Sequence, residues 1–311
     1  MNARILLVAA VSLCAMALPV ATQAQQFELG DVIVSGSNPA GGTQESDSKL
    51  LRYDRNGQFR ALLAEVTPLG SFGRLAFNPS GVLHVTTDQG IKTVTAAGVV
   101  AVAASGRSLF VSLSFAANGD LLAGADRVIK RFGPTGNLIS TYSPTDLVVS
   151  LDLAGDQCTV YFVGSTLKKL NVCLRTPESE VLPSTTLDFR LLPSGGFALS
   201  RPDGIEIFDA AGNQLRKIPA LSGAVALGAD GSSIWLAQQG GLLLKFDIAT
   251  GNRLLGPIPT GLVRITGLAV YGEPRAAFVN GPFAAIPALS PRMLLMLCFA
   301  LAAFAMLRLR M

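Results

Sequence analysis

The chain has 311 residues, half of them hydrophobic, with 25 Lys and Arg, 21 Asp and Glu and one histidine. Arg4, Arg292, Arg308 and Arg310 lie in two terminal segments that hold no acid, which leaves the middle with 21 residues of each sign. A body with no formal net charge lacks the electrostatic footprint of a nucleic-acid binder, so that class of partner is excluded.

The first element is an address. Met1-Asn2-Ala3-Arg4 is a short basic lead, residues 5–20 are an apolar run, and Thr22-Gln23-Ala24 places small residues at −3 and −1. Those three parts predict a secretory signal peptide over residues 1–24, cut between Ala24 and Gln25.

Asp31-Val32-Ile33-Val34-Ser35 then reads as a strand, and the turn-rich stretch 36–48, GSNPAGGTQESDS, as a loop. From Leu50 onward the sequence repeats. One unit is an apolar strand, a turn closing on glycine and a second strand, as in LLRYDRNGQFRALLAE from Leu50 and IEIFDAAGNQLRKIP from Ile205. It alternates with a second hairpin unit such as RLAFNPSGVLHVTT or SLSFAANGDLLAGA. The turns of the first unit fall at 57, 98, 136, 176, 212 and 251, spacings of 41, 38, 40, 36 and 39 residues. Four strands in about 39 residues, six times over, predict an all-β fold, a six-bladed β-propeller over residues 25–273. The sixth copy of the second unit, GLAVYGEP, stops early. The strand at 31–35 is therefore expected to pair beside residues 267–271 and close the last blade, hiding the edges that open sheets expose. A seventh blade follows instead if residues 36–48 conceal a strand pair.

These repeats resemble the six-bladed NHL and SMP-30-like propellers and the YVTN-type surface propellers. The single Trp235 and the absence of Trp-Asp dipeptides separate the chain from WD40 propellers.

Cys14 and Cys298 belong to the terminal segments, leaving Cys158 and Cys173 in CTVYFVGSTLKKLNVC. A hairpin turning between Ser165 and Thr166 sets Val163 opposite Lys168 and Cys158 opposite Cys173, close enough for a disulfide. Export into an oxidising compartment favours the bond.

Little in the body suggests chemistry. His84, in the strand VLHVTT, reads as a packed or surface residue. Asp54, Asp209 and Asp247 recur where turns need an acceptor. A lactonase of the SMP-30-like kind would need acids and amides converging on a channel cation. Asp203, Glu206, Asn118 and Asp120 are residues of that type, but the sequence does not bring them together. No catalytic, cofactor-binding or metal residue is assigned, and no cofactor is expected.

Residues 274–285 read as a protease-sensitive linker, and residues 286–311 as a second address. Residues 293–307 are uninterrupted apolar, and the run from Ile286 to Leu307 is 22 residues, long enough to span a bilayer if Arg292 snorkels. Arg308 and Arg310 then hold the C-terminus in the cytoplasm. Ile286-Pro287-Ala288-Leu289-Ser290 before an apolar helix and terminal arginines resembles the IPTL-type C-terminal sorting domain of Gram-negative exported proteins. Ala288 stands where that family usually has threonine, and Arg292 where tryptophan is common. The resemblance implies an exosortase-like protease as partner and inner-membrane anchoring in transit. The destination it implies is the cell surface or the medium. The expected function is a non-enzymatic binding module for a protein or glycan; the alternative is an SMP-30-like metal-dependent lactonase or hydrolase of the envelope.

Overall fold

The computed structural model describes residues 26–39, 46–66, 72–98, 100–105, 110–183, 186 and 188–274. The signal peptide with its Ala24–Gln25 cut, the stretch 275–285, the sorting motif Ile286 to Ser290, and Arg308 and Arg310 all lie outside the described residues.

Among the described residues, twenty-four strands form six four-stranded antiparallel sheets. Blade 2 is β4 (Phe72–Phe77), β5 (Leu83–Thr87), β6 (Gly90–Val94) and β7 (Val100–Ser105). Blade 3 runs from β8 (Ser112–Phe115) through β9 (Leu121–Ala125) and β10 (Val128–Phe132) to β11 (Leu138–Tyr142). Blade 4 comprises β12 (Ser150–Leu153), β13 (Thr159–Val163), β14 (Thr166–Asn171) and β15 (Thr176–Pro183). Blade 5 comprises β16 (Asp188–Leu191), β17 (Phe197–Arg201), β18 (Gly204–Phe208) and β19 (Gln214–Ile218). Blade 6 comprises β20 (Gly223–Leu227), β21 (Ser233–Gln238), β22 (Leu242–Asp247) and β23 (Arg253–Pro259). Blade 1 is composite: β24 (Arg264–Val270) is followed in the sheet by β1 (Val32–Pro39), β2 (Ser46–Tyr53) and β3 (Phe59–Val66).

The expected closure is therefore present, with Val32 opposite Val270 and Ser35 opposite Gly267. One expectation is corrected. Much of 36–48 is strand, because β1 continues to Pro39 and β2 begins at Ser46, the two pairing as one hairpin. They lengthen blade 1 rather than adding a seventh.

The first strand of each blade touches the first strands of its two neighbours, and β20, β24 and β4 complete the circle. Apolar alternation explains this arrangement. Along β1, Val32 and Val34 enter a cluster with Trp235 and Ala226 of blade 6, while Ile33 enters one with Phe72 and Val85 of blade 2. Successive side chains leave a strand on opposite faces, so each blade feeds both of its seams. Six buried clusters fill the six seams. Strands β8 and β20 are buried at every position, being covered on both faces, whereas β11 and β19 are mostly exposed. Each large side chain sealed in a seam contributes about 1.5–3 kcal/mol.

The turns follow the sequence reading. Asp54 accepts the N–H groups of Asn56 and Gln58, Asp209 those of Ala211 and Asn213, and Asp247 that of Thr250. The Asn213 carboxamide and the Thr250 hydroxyl, which also donate to these carboxylates, contribute most to holding Asp209 and Asp247 respectively below the usual carboxylate range, and the N–H bonds add to it. In five repeats a glycine with φ between +76° and +86° closes this turn, at 57, 98, 136, 212 and 251. Blade 4 differs: Arg175, not the residue expected at 176, takes φ +52°. A side chain in this region costs on the order of 1 kcal/mol. Arg175 is exposed and makes no hydrogen bond or ion pair among the described residues. Arg175→Gly is therefore expected to raise stability by about 0.5–1 kcal/mol. Urea denaturation would check this, and an unchanged midpoint would contradict the strain argument.

Candidate functional site

The six first strands surround an axial channel. Their starting ends define its mouth, and their finishing ends the opposite face, where the described chain also enters and leaves. Phe27 packs there on Phe77 and Tyr271, and Pro274 lies beside the Gly231 turn. A buried ion pair between Arg52 and Asp31, 2.6 Å apart, fixes the entering segment.

The channel is stopped by charge. Arg74 on β4 reaches Asp188 on β16, Nη1 to Oδ2 2.6 Å. These strands are three places apart in a ring of six, so the bridge crosses the axis. Asp188 also accepts the Ser150 hydroxyl at 2.7 Å and the Val225 N–H at 3.0 Å, and Arg190 Nη1 lies 3.4 Å from its other oxygen. Toward the opposite face, Glu273 Oε1 accepts the Leu227 N–H at 2.6 Å and Arg190 Nε at 3.2 Å. Asp152 accepts the Leu191 N–H and the Ser114 hydroxyl, both at 3.1 Å. An edge strand leaves N–H groups unpaired, and these acids supply the acceptors from neighbouring blades.

Burial opposes the charge on Asp188, yet Arg74, Arg190, Ser150 and the Val225 N–H outweigh it and hold the carboxyl below its usual range. Burial likewise opposes Arg190, but Asp188, Glu273 and Asp152 raise it above the ordinary guanidinium value. The channel thus links two guanidinium groups, Arg74 and Arg190, through the carboxylates of Asp188 and Glu273, with Asp152 acting on Arg190 through its charge. A fully paired carboxylate presents no open side to a cation.

Above the Arg74–Asp188 bridge, a cleft of about 380 Å³ opens at the mouth. Gly73, Arg74 and Thr266 form part of its lining, Phe110, Val111 and Val149 give it apolar surface, and Asp88 stands with Thr86 and Thr87 at the end of β5. Its volume falls in the range of small-ligand pockets. A smaller cleft of about 190 Å³ lies at the opposite face between blades 2 and 3.

That second cleft contains His84, which packs edge-on to Phe115 at 4.7 Å with Nδ1 3.1 Å from the Val82 carbonyl oxygen. Of the two roles expected of it, packed or surface, this is the packed one. Asn118 accepts the Asp120 N–H and Asp120 pairs with Arg131 at 2.6 Å, in a blade 3 turn on the opposite face. Asp203 pairs with Lys217, and Glu206 with Arg201 at 2.8 Å, toward the mouth end of blade 5. The four residues of the type a channel cation needs are not brought together. Among the described residues, no group of three His, Cys, Asp or Glu side chains could hold a metal.

Cys158 and Cys173 are joined, with Cα atoms 5.2 Å apart. The register is corrected by one residue: Val163 faces Leu167, not Lys168, and Val172 donates its N–H to the Cys158 carbonyl. A slip of one normally turns every side chain to the other face. Here Cys173 lies beyond the end of β14, in a turn capped by the Asn171 carboxamide oxygen at 3.0 Å, so the pleat does not dictate its direction.

The cross-axis bridge was not legible in the sequence. Arg74, Asp188 and Arg190 stand in ordinary strand repeats, and only the ring geometry joins positions 114 residues apart.

No family model matches the sequence, and no curated protein matches it. Among solved structures, the chain is similar to one from the crystal structure of a nidogen/laminin complex. The TM-score is 0.64 at 10% identity, over 79% of this chain and 100% of that one. A protein of unknown function from Bacteroides caccae matches with a TM-score of 0.56 at 12% identity, over 79% and 100%. At such identities the likeness shows the fold alone: a six-bladed β-propeller.

Proposed function

We propose that this protein is an exported, non-enzymatic binding module that presents the mouth of its propeller to a protein or glycan at the cell surface. The observation that carries the reading is the Arg74–Asp188 bridge across the axis. It commits Asp188 to guanidinium partners and leaves the cleft above it as a concave surface at the mouth. A lactonase working through a channel cation would need that carboxylate turned to the ion instead. Propellers also serve in assemblies, the nidogen/laminin complex containing a chain of this fold. The export arm rests on the Arg4-led signal and on the tail from Ile286 to Arg310, which resembles the IPTL-type signals handled by an exosortase-like protease.

Two measurements test the two arms. Expression in a Gram-negative host should yield a mature N-terminus at Gln25, with the propeller degraded by protease added to intact cells. A retained Met1 or a protected propeller would overturn export. The purified protein, assayed with lactone and ester substrates and added Ca²⁺, Mg²⁺, Mn²⁺ or Zn²⁺, should show no turnover. Metal-dependent hydrolysis that a chelator abolishes and the added metal restores would establish the lactonase reading in its place.

A further inference from the structure

Among the described residues, four large aliphatic side chains stand exposed in the connections that lead into the first strands. They are Val111 (40% exposed), Leu147 (48%), Leu221 (59%) and Val263 (55%), each within three residues of the start of β8, β12, β20 or β24. Scattered exposed apolar residues on outer strands are ordinary. Of these four Val111 lines the cleft, with Phe110 and Val149, and the other three stand at the same end of the molecule, each on a different blade. An exposed valine continuous with an apolar cleft wall fits a binding surface.

The charge of the cleft completes the description. Its cation, Arg74, is balanced by Asp188. Its remaining charge is Asp88, in the turn between β5 and β6, half-buried and without a hydrogen bond or ion pair among the described residues. Arg127 and Arg264 stand at the same end of the molecule but do not line the cleft. The described chain ends, Gln26 and Pro274, are at the opposite face, so they do not cover the mouth.

We propose, building on the binding-module reading, that the mouth takes a protein segment in which a large apolar side chain has a basic neighbour. The apolar group fills the cleft against Phe110, Val111 and Val149, and the basic group pairs with Asp88. Desolvated apolar anchors supply affinity, and a rim charge supplies selection.

The test uses the full-length protein in detergent micelles and fluorescein-labelled hexapeptides, Gly-Gly-X-Z-Gly-Gly, with X as Phe or Ser and Z as Lys or Glu. Fluorescence polarisation should rank Phe-Lys first. Exchanging Lys for Glu should weaken binding about threefold to fivefold, the scale of a partly exposed ion pair. Asp88→Asn should bring the Lys/Glu ratio to about one while keeping the Phe/Ser preference. Val111→Asp should remove the Phe/Ser preference. An unchanged melting temperature in both variants is the expected control. Equal binding of Lys and Glu peptides, a ratio untouched by Asp88→Asn, or binding of oligosaccharides but not of any peptide would overturn this proposal. Metal-dependent turnover in the hydrolase assay would instead overturn the reading beneath it, so the two failures are distinguishable.

Discussion

Asp188→Asn should unfold at a much lower urea concentration, with about 3–5 kcal/mol of stability gone. The substitution keeps size and shape but takes from Arg74 and Arg190 the anion they share, Arg190 retaining Glu273. Taking a buried charge's partner away costs more than the pair itself contributes, because the remaining ion keeps its desolvation penalty. A second variant separates the two effects. Arg74→Met combined with Asp188→Leu removes the cross-axis pair while filling its volume, and should recover a good part of the loss. Trp235 is the only tryptophan and is buried in the seam between blades 6 and 1, so its fluorescence reports opening of the ring directly. A loss below about 1 kcal/mol in Asp188→Asn would show that the bridge is solvated and does not stop the channel.

The same residue fixes the direction of the acid response. A carboxyl whose native pKa is depressed contributes stability that is present above its unfolded value, about 3.9. That contribution disappears as pH falls through the native value. Asp188 is depressed by Arg74 and Arg190 against the effect of burial. Asp230, where burial is likewise outweighed, by the Ser233 hydroxyl and turn N–H groups, is drawn down to about 2. Stability should therefore be flat above about pH 5 and fall steeply below pH 4, with Asp188→Asn showing a shallower fall than the parent protein.

How much of this was readable without coordinates depends on whether the cause is local. Strand alternation and the turn glycines act over a few residues, so the blade count, the β1–β24 closure and the Asp54, Asp209 and Asp247 turns could all be read. The strand character of 36–39 was missed because Gly36, Asn38 and Pro39 are turn-formers by propensity. Pairing with β2 overrides that propensity, and the Asn38 carboxamide is further tied to Gly261 and Val263. The one-residue error in the cysteine hairpin has a similar origin. Nothing in Gly164-Ser165-Thr166 says where the chain reverses, and the fold centres the reversal on Ser165. The site was the least legible part. Its residues, Arg74, Asp88, Phe110 and Asp188, come from three blades, and no sequence spacing encodes distance across a channel.

Breaking the disulfide should produce the second large effect, about 3 kcal/mol for a closed loop of about 15 residues. Cys158→Ser/Cys173→Ser, made together to avoid a stray thiol, is the variant to measure against the parent protein under oxidising conditions. The bond sits where blade 4 departs from the repeat. Both of its turns on the face opposite the mouth lack the usual left-handed glycine, Gln157 standing at φ +60° and Arg175 at φ +52°. The disulfide joins these two turns, Cys158 following Gln157 and Cys173 preceding Arg175 by two residues. Gln157 also accepts the Ala117 N–H at 2.6 Å through its side chain, tying blade 4 to blade 3. Cutting the crosslink should therefore raise hydrogen exchange first in the 154–159 and 171–176 turns and next at Ala117, ahead of the inner strands. Loss of protection spread evenly over the ring would instead mean that the bond acts only on the unfolded chain. A double-serine protein as stable as the parent would show that the two turns hold their left-handed residues without it.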